Sequence, residues 1–123
     1  MNESRFFLPY PPSVNQLFAG KSRRHKSEQY KNWLKLAAIQ LKQESEHIQL
    51  HKGQVSLYFA FRAPDNCRRD IDNLLKATID FLVDNKIIIA DDQRFVRKIT
   101  AEWLGEGNKS GCFVCIKDYE SIA

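Results

Sequence analysis

Apolar and polar residues alternate most cleanly in VSLYFAFR, residues 55–62. Val55, Leu57, Phe59 and Phe61 fall on one side, and Ser56, Tyr58, Ala60 and Arg62 on the other. A period of two predicts a half-buried strand, opened by Gly53. Upstream the period changes. Tyr30, Trp33, Leu34, Ala37, Ala38 and Leu41 recur at i, i+3, i+4, the stripe of an amphipathic helix. Ser27 is its expected N-cap, Glu28 suits the first turn, and the helix is expected to reach about Glu46. A second stripe, Ile71, Leu74, Leu75, Thr78, Ile79 and Leu82, predicts a second helix, beginning at Asp70.

The remaining segments read as strands and loops. RFFLP (5–9) is a short strand ended by the prolines of PYPPS, which cannot join a ladder. AGKSRRHK (19–26) is a polar loop, APDNC (63–67) another, and IIIADDQ (87–93) an apolar segment running into an acidic turn. Residues 94–104 and CFVCIKD (112–118) are strands, with the Gly-rich GEGNKSG (105–111) predicting a hairpin turn between them. The order is β-α-β-α-β-β. It predicts an α/β fold (α+β by some schemes): a small mixed sheet with two packed helices, in one domain over residues 1–123.

Composition narrows the class. In 123 residues, 43% are hydrophobic and 28% charged, as in ordinary globular proteins. No apolar run approaches a membrane span of roughly 18 residues. MNESRFFLPYPP lacks a signal-peptide layout, so cytoplasm is the expected location. Three cysteines do not make a disulfide framework. Cys112 and Cys115 form a CxxC, but on a strand they point to opposite faces, and no second pair completes a zinc site.

Charge is uneven. Residues 1–52 hold nine Lys/Arg against four Asp/Glu; residues 53–123 hold ten against eleven, six of those acids between Asp70 and Asp92. A basic half and an acidic cluster in one small domain suit a polyanion surface beside a cation site. Uneven surface charge without consequence is the plain alternative.

The acidic cluster carries the chemistry. Asp70 alone reads as a helix N-cap. Asp72 lies at the edge of the apolar stripe, and Lys76 about 40° further round at 100° per residue. The two would make an ordinary i, i+4 pair. The sharper reading takes them together. Two carboxylates at a helix start can share a hard cation such as Mg²⁺, and the turn acids Asp91 and Asp92 are candidates for a third ligand. A cation so held can activate water and neutralise a phosphate, with Lys76 offsetting transition-state charge. Arg68 and Arg69 would hold phosphates alongside.

LPYPPSVNQLF (8–18), RRDIDNLLKATID (68–80) and DDQ (91–93) together resemble the RusA family of Holliday junction resolvases, over nearly the whole chain and in the same order. The resemblance implies a homodimeric, Mg²⁺-dependent endodeoxyribonuclease, often carried by phages and prophages, that cuts four-way DNA junctions by paired nicks in recombination and repair. Mn²⁺ is a possible substitute. The family's essential aspartates match Asp70 and Asp72, and its essential lysine matches Lys76. Its third aspartate falls in the acidic turn. Preserving the turn selects Asp92, while an ungapped alignment selects Asp91. Asn15 and Asn73 match family positions and imply supporting roles. The basic loop, with Lys21, Arg23, Arg24 and Lys26, joins Arg68 and Arg69 as the expected grip on DNA. Two rival readings are a nucleic-acid-binding module without catalysis and a metal-dependent phosphohydrolase of small substrates.

Overall fold

One of the two interior strands of the sheet is the one whose sequence alternates best. The computed structural model describes residues 2–105 and 109–120. In it β4, Val55–Arg62, pairs antiparallel with β6, Gly111–Asp118, on one side and parallel with β5, Val96–Trp103, on the other. β1, Glu3–Leu8, completes the sheet against β6, giving the order β1-β6-β4-β5. The result is a mixed sheet with two helices, α1 (Glu28–Gln43) and α2 (Leu75–Asp84).

Both helices cover one face. Phe6 and Leu8 of β1, Leu57, Phe59 and Phe61 of β4, and Val114 and Ile116 of β6 meet Trp33 and Ala37 of α1 and Ala77, Phe81 and Leu82 of α2. Trp33 and Phe81 join the helices edge to face, with ring centroids 5.5 Å apart. The Trp33 indole N–H donates to the Pro9 carbonyl at 2.9 Å, so this large ring is buried without stranding its polar atom. Each fully buried large apolar side chain contributes roughly 1.5–3 kcal/mol. The opposite face carries Arg5, Phe7, Tyr58, Phe113 and Lys117, and among the described residues no helix covers it. Cys112 pairs with Leu8 and Phe61 on the helix side, and Cys115 with Arg5 and Tyr58 on the other.

Ser27 caps α1 as expected, its hydroxyl accepting from the Tyr30 N–H at 3.1 Å. A second hydroxyl fixes the chain that follows α1. Buried Ser4 donates to the Gln49 carbonyl at 3.1 Å and accepts from the Gln49 N–H at 2.8 Å. The segment between α1 and β4 is thereby held along β1.

Four expectations need correction. The loop 19–26 is not wholly irregular: β2 (Phe18–Ala19) and β3 (His25–Lys26) form a two-stranded ribbon around its tip. The Gly-rich segment is no hairpin, because β4 lies between β5 and β6. β5 follows α2 in a strand–helix–strand crossover and so pairs parallel to β4, which leaves β6 the other side. Residues 106–108 of that connection lie outside the described residues. The second helix begins later than its stripe. Residues Ile71–Leu74 form a tighter 3-10 turn, with the Asn73 N–H bonded to the Asp70 carbonyl at 3.2 Å. Asp and Asn favour such turns over helix interiors. The change of pitch rotates the buried face, so Ala77 and Phe81 are buried while Ile71, Leu75 and Ile79 are only partly covered. Lastly, Lys76 pairs with Asp80 at 3.1 Å and not with Asp72, because Asp72 lies in the 3-10 turn and is out of phase with α2.

Candidate active site

The loop from β4 to Asp70 is built around one carboxylate. Asp65 accepts from the Cys67 N–H at 2.9 Å and from the Arg69 guanidinium at 2.6 Å. Arg69, then Cys67, hold the Asp65 carboxyl well below the usual carboxylate range. Arg69 also donates to the Cys67 carbonyl at 3.1 Å and lies 5.9 Å over the Tyr10 ring. It is a strut for the loop as much as a charge for a ligand. Arg68 beside it is exposed and has no ion-pair partner among the described residues.

Asp70 and Asp72 follow. Asp70 occupies the N-cap position of the 3-10 turn, yet its side chain makes no capping hydrogen bond. Among the described residues neither carboxylate is hydrogen-bonded or ion-paired, and both are exposed. The capping reading therefore fails for Asp70. Two uncommitted carboxylates sit within three residues of each other at the start of a helical segment. Their hard oxygens fit a hard divalent cation that keeps several waters, since the pair alone supplies few ligands.

A cavity of about 500 Å³ opens beside Asp70, lined also by Tyr10, Ser13, Gln16, Arg68 and Asn73. The Tyr10 hydroxyl is buried there without a hydrogen-bond partner, and burial raises its pKa. Sequence reasoning assigned Tyr10 no role; its place between Pro9 and Pro11 is the one local signal that marks it. Asn15 lies in a 3-10 turn, Val14–Gln16, that packs against the Ile71–Leu74 turn carrying Asn73. The two asparagine-bearing turns thus meet at the cavity.

The basic ribbon rises from the same wall. The Ser27 hydroxyl donates to the Gln16 carbonyl at 2.5 Å, and the Ser27 N–H to the Leu17 carbonyl at 2.9 Å. Gly20 turns the ribbon with φ of +98°, and a Cβ there would collide with the Arg23 carbonyl. Lys21, Arg23 and Arg24 are exposed and have no acidic partner among the described residues. Lys26 lies 5.7 Å over the Tyr30 ring. Four cations without an acidic partner among the described residues, on a ribbon anchored to the cavity wall that Asp70 shares, is the arrangement expected where an anion is gripped and a metal held.

The turn acids are elsewhere. Asp92 accepts from the Arg94 side chain through both oxygens, at 2.9 Å each, and from the Arg94 N–H at 2.9 Å. Its carbonyl accepts from the Phe95 and Val96 N–H groups, so Asp92 organises the turn that launches β5. Asp91 is exposed and has no partner among the described residues. The Phe95 carbonyl bonds the Val55 N–H, at the start of β4, whereas Asp70 follows the end of β4. The two acidic groups therefore lie beyond opposite ends of β4. No cluster of three His, Cys, Asp or Glu suited to a metal occurs among the described residues. Nor is any helix among them long and apolar enough to cross a membrane. Sequence reasoning missed the Arg94 clamp on Asp92 and the Asp80 partner of Lys76, although the spacings that produce them are visible.

Comparison with known proteins gives the family. Residues 9–117 match the family model of endodeoxyribonuclease RusA. The crossover junction endodeoxyribonuclease rusA of Enterobacteria phage HK97 is 31% identical over 99 residues, covering 77% of this chain and 78% of its own. The crossover junction endodeoxyribonuclease RusA of Escherichia coli O139:H28 (strain E24377A / ETEC) is 32% identical over 104 residues, covering 79% and 84%. A match that takes in the cavity, the acid pair, the ribbon and the acidic turn makes this chain a member of the RusA endodeoxyribonuclease family.

Proposed function

We propose that the chain is a structure-selective endodeoxyribonuclease that resolves four-way DNA junctions by paired nicks, serving recombination and repair in the cytoplasm of a cell or prophage host. The observation that carries this reading is the uncommitted Asp70–Asp72 pair, with Asp70 lining a cavity whose wall residue Gln16 also anchors the base of a basic ribbon, in a chain of this family.

Asp70 and Asp72 would hold Mg²⁺, with Mn²⁺ as a substitute. When bound, the cation supplies positive charge to the scissile phosphate and acidifies water. The remaining work falls to the chain's own side chains. Arg68, at the mouth of the cavity, pairs with a phosphate. Lys76 exchanges Asp80 for the charge that develops on the leaving oxygen. Its side chain is about half exposed, so the exchange is sterically open. Arg69 holds the loop and adds its charge. Asn15 and Asn73 position the two turns. Lys21, Arg23, Arg24 and Lys26 bind arms through phosphates, largely without regard to sequence.

The third carboxylate is the turn aspartate, Asp92 in the register that preserves the turn and Asp91 in the ungapped one. The separation of this turn from Asp70 supports a site shared between two copies, in which one chain gives the acid pair and its partner the turn. A two-fold homodimer so built has two sites, one for each opposed strand of a junction with near two-fold symmetry.

The test is nicking of a synthetic four-way junction by wild type and Asp72→Asn, with Mg²⁺, with Mn²⁺ and with chelator. Metal-dependent paired nicks lost in the variant support the reading. Tight junction binding without nicks would reduce the protein to a binding module. Preference for nucleotides over junction DNA would make it a small-substrate phosphohydrolase.

A further inference from the structure

The candidate metal ligands are not equally free. Asp70, Asp72 and Asp91 have no side-chain partner among the described residues, whereas both oxygens of Asp92 are taken by the Arg94 side chain. Arg94 Nε donates to Oδ1 and Nη2 to Oδ2, each at 2.9 Å. A guanidinium in this fork keeps a divalent cation off the carboxylate in two ways. It fills the oxygens, and its own charge repels the ion. Asp92 can serve the site proposed above only when Arg94 is drawn away.

The turn is built so that a side chain can leave while the backbone stays. The Asp92 carbonyl accepts from the Phe95 and Val96 N–H groups, at 3.0 and 2.9 Å. The Gln93 carbonyl accepts from the Arg97 side chain, the Arg94 carbonyl from the Gln54 side chain, and the Phe95 carbonyl from the Val55 N–H. The Arg94 side chain is 72% exposed, with its guanidinium 5.4 Å over the Phe95 ring. The Arg94 N–H donates separately to Asp92 Oδ1, at 2.9 Å. This backbone bond does not depend on the guanidinium. A swing of the side chain therefore frees Oδ2 on a carboxylate that keeps its aim.

We infer that Arg94 is a substrate-released latch: a DNA phosphate draws its guanidinium off Asp92 and so opens that carboxylate to the metal. The inference rests on the proposed metal site and adds to it a residue that the proposed chemistry does not use. Phosphate is the fitting competitor, because arginine grips it with the same two-pronged geometry as a carboxylate. In the proposed site Asp92 and the scissile phosphate lie side by side, so the group that releases one is within reach of the other. The coupling is reciprocal. Seated DNA strengthens metal binding, and metal strengthens DNA binding, through loss of the same ion pair. DNA that brings no phosphate to Arg94 leaves Asp92 shut.

Two sets of binding measurements test this without turnover. In chelator, Asp92→Asn should tighten junction binding about two- to fivefold, the worth of an exposed ion pair that no longer competes for Arg94. Asparagine keeps Oδ1 for the Arg94 N–H, so the turn should hold. The same change in an Arg94→Gln background should gain nothing. Simple relief of repulsion toward phosphate would instead give the gain in both backgrounds, and that result overturns the latch. For the protein alone, Mn²⁺ binding is read by paramagnetic resonance of the free ion. Arg94→Gln should bind Mn²⁺ more tightly than wild type by a similar factor, and adding Asp92→Asn should remove that gain. Mn²⁺ affinity that is indifferent to Arg94→Gln but falls on Asp92→Asn sinks the latch and leaves the metal site standing. Mn²⁺ affinity of the Arg94→Gln protein that is unchanged by Asp92→Asn removes Asp92 from the metal site, and the latch with it.

Discussion

Lys76 reaches Asp80 at 3.1 Å, one turn further along α2, and leaves Asp72 unpaired. The lysine therefore cannot be explained as the partner of the acid pair. If it serves only Asp80, Lys76→Ala should cost a few tenths of a kcal/mol of stability and little activity. If it meets charge on the leaving oxygen, its loss should slow single-turnover cleavage by about two orders of magnitude or more. We expect the second outcome. Lys76→Arg should rescue poorly, because a planar fork does not replace a compact ammonium. Single-turnover rates and thermal melts of both variants decide it.

Asp70→Asn and Asp72→Asn should each abolish cleavage while junction affinity holds or rises. Each change removes a metal ligand and also a negative charge that repels phosphate. Cleavage by either variant near the wild-type rate in Mg²⁺ would refute the metal assignment.

Between the turn acids, Asp92→Asn should damage cleavage more than Asp91→Asn, and the reverse order would favour the ungapped register. Asp92 has a second signature. The Arg94 side chain, then backbone N–H groups, lower its pKa from 3.8 to about 2. A depressed carboxylate stabilises the fold above its unfolded pKa and loses that contribution as pH falls through its folded one. Asp92→Asn should therefore melt below wild type at neutral pH, and the gap should close between pH 3.8 and about 2. A gap independent of pH over that window would argue against the Arg94 clamp.

Neutralising Lys21, Arg23, Arg24 and Lys26 should weaken junction binding and flatten its salt dependence. Each lost phosphate contact removes about 0.9 from the log–log slope on duplex DNA. An unchanged slope would mean that the ribbon is only solvated.

How far the sequence could be read depended on the range of the interactions. Strand β4 and the Ser27 cap are set by neighbours a few residues apart, and alternation and spacing expose them. The place of β5 is set by the crossover through α2, which local periodicity does not encode, so adjacency along the chain misled at the Gly-rich segment. Asp70 and Asp72 were legible as a pair because the chain itself keeps them together. Their phase relative to Lys76 was not, because a 3-10 turn interrupts the helix between them. The buried Tyr10 hydroxyl depends on packing between distant turns, and no spacing announces it.

The Ser27 hydroxyl, 2.5 Å from the Gln16 carbonyl, also has a mechanical meaning. One short bond joins the base of the ribbon to the cavity wall, and the same residue begins α1. The arm that would hold DNA is thus not hung on a slack tether. A load on the arm is passed to Gln16, which lines the same cavity as Asp70.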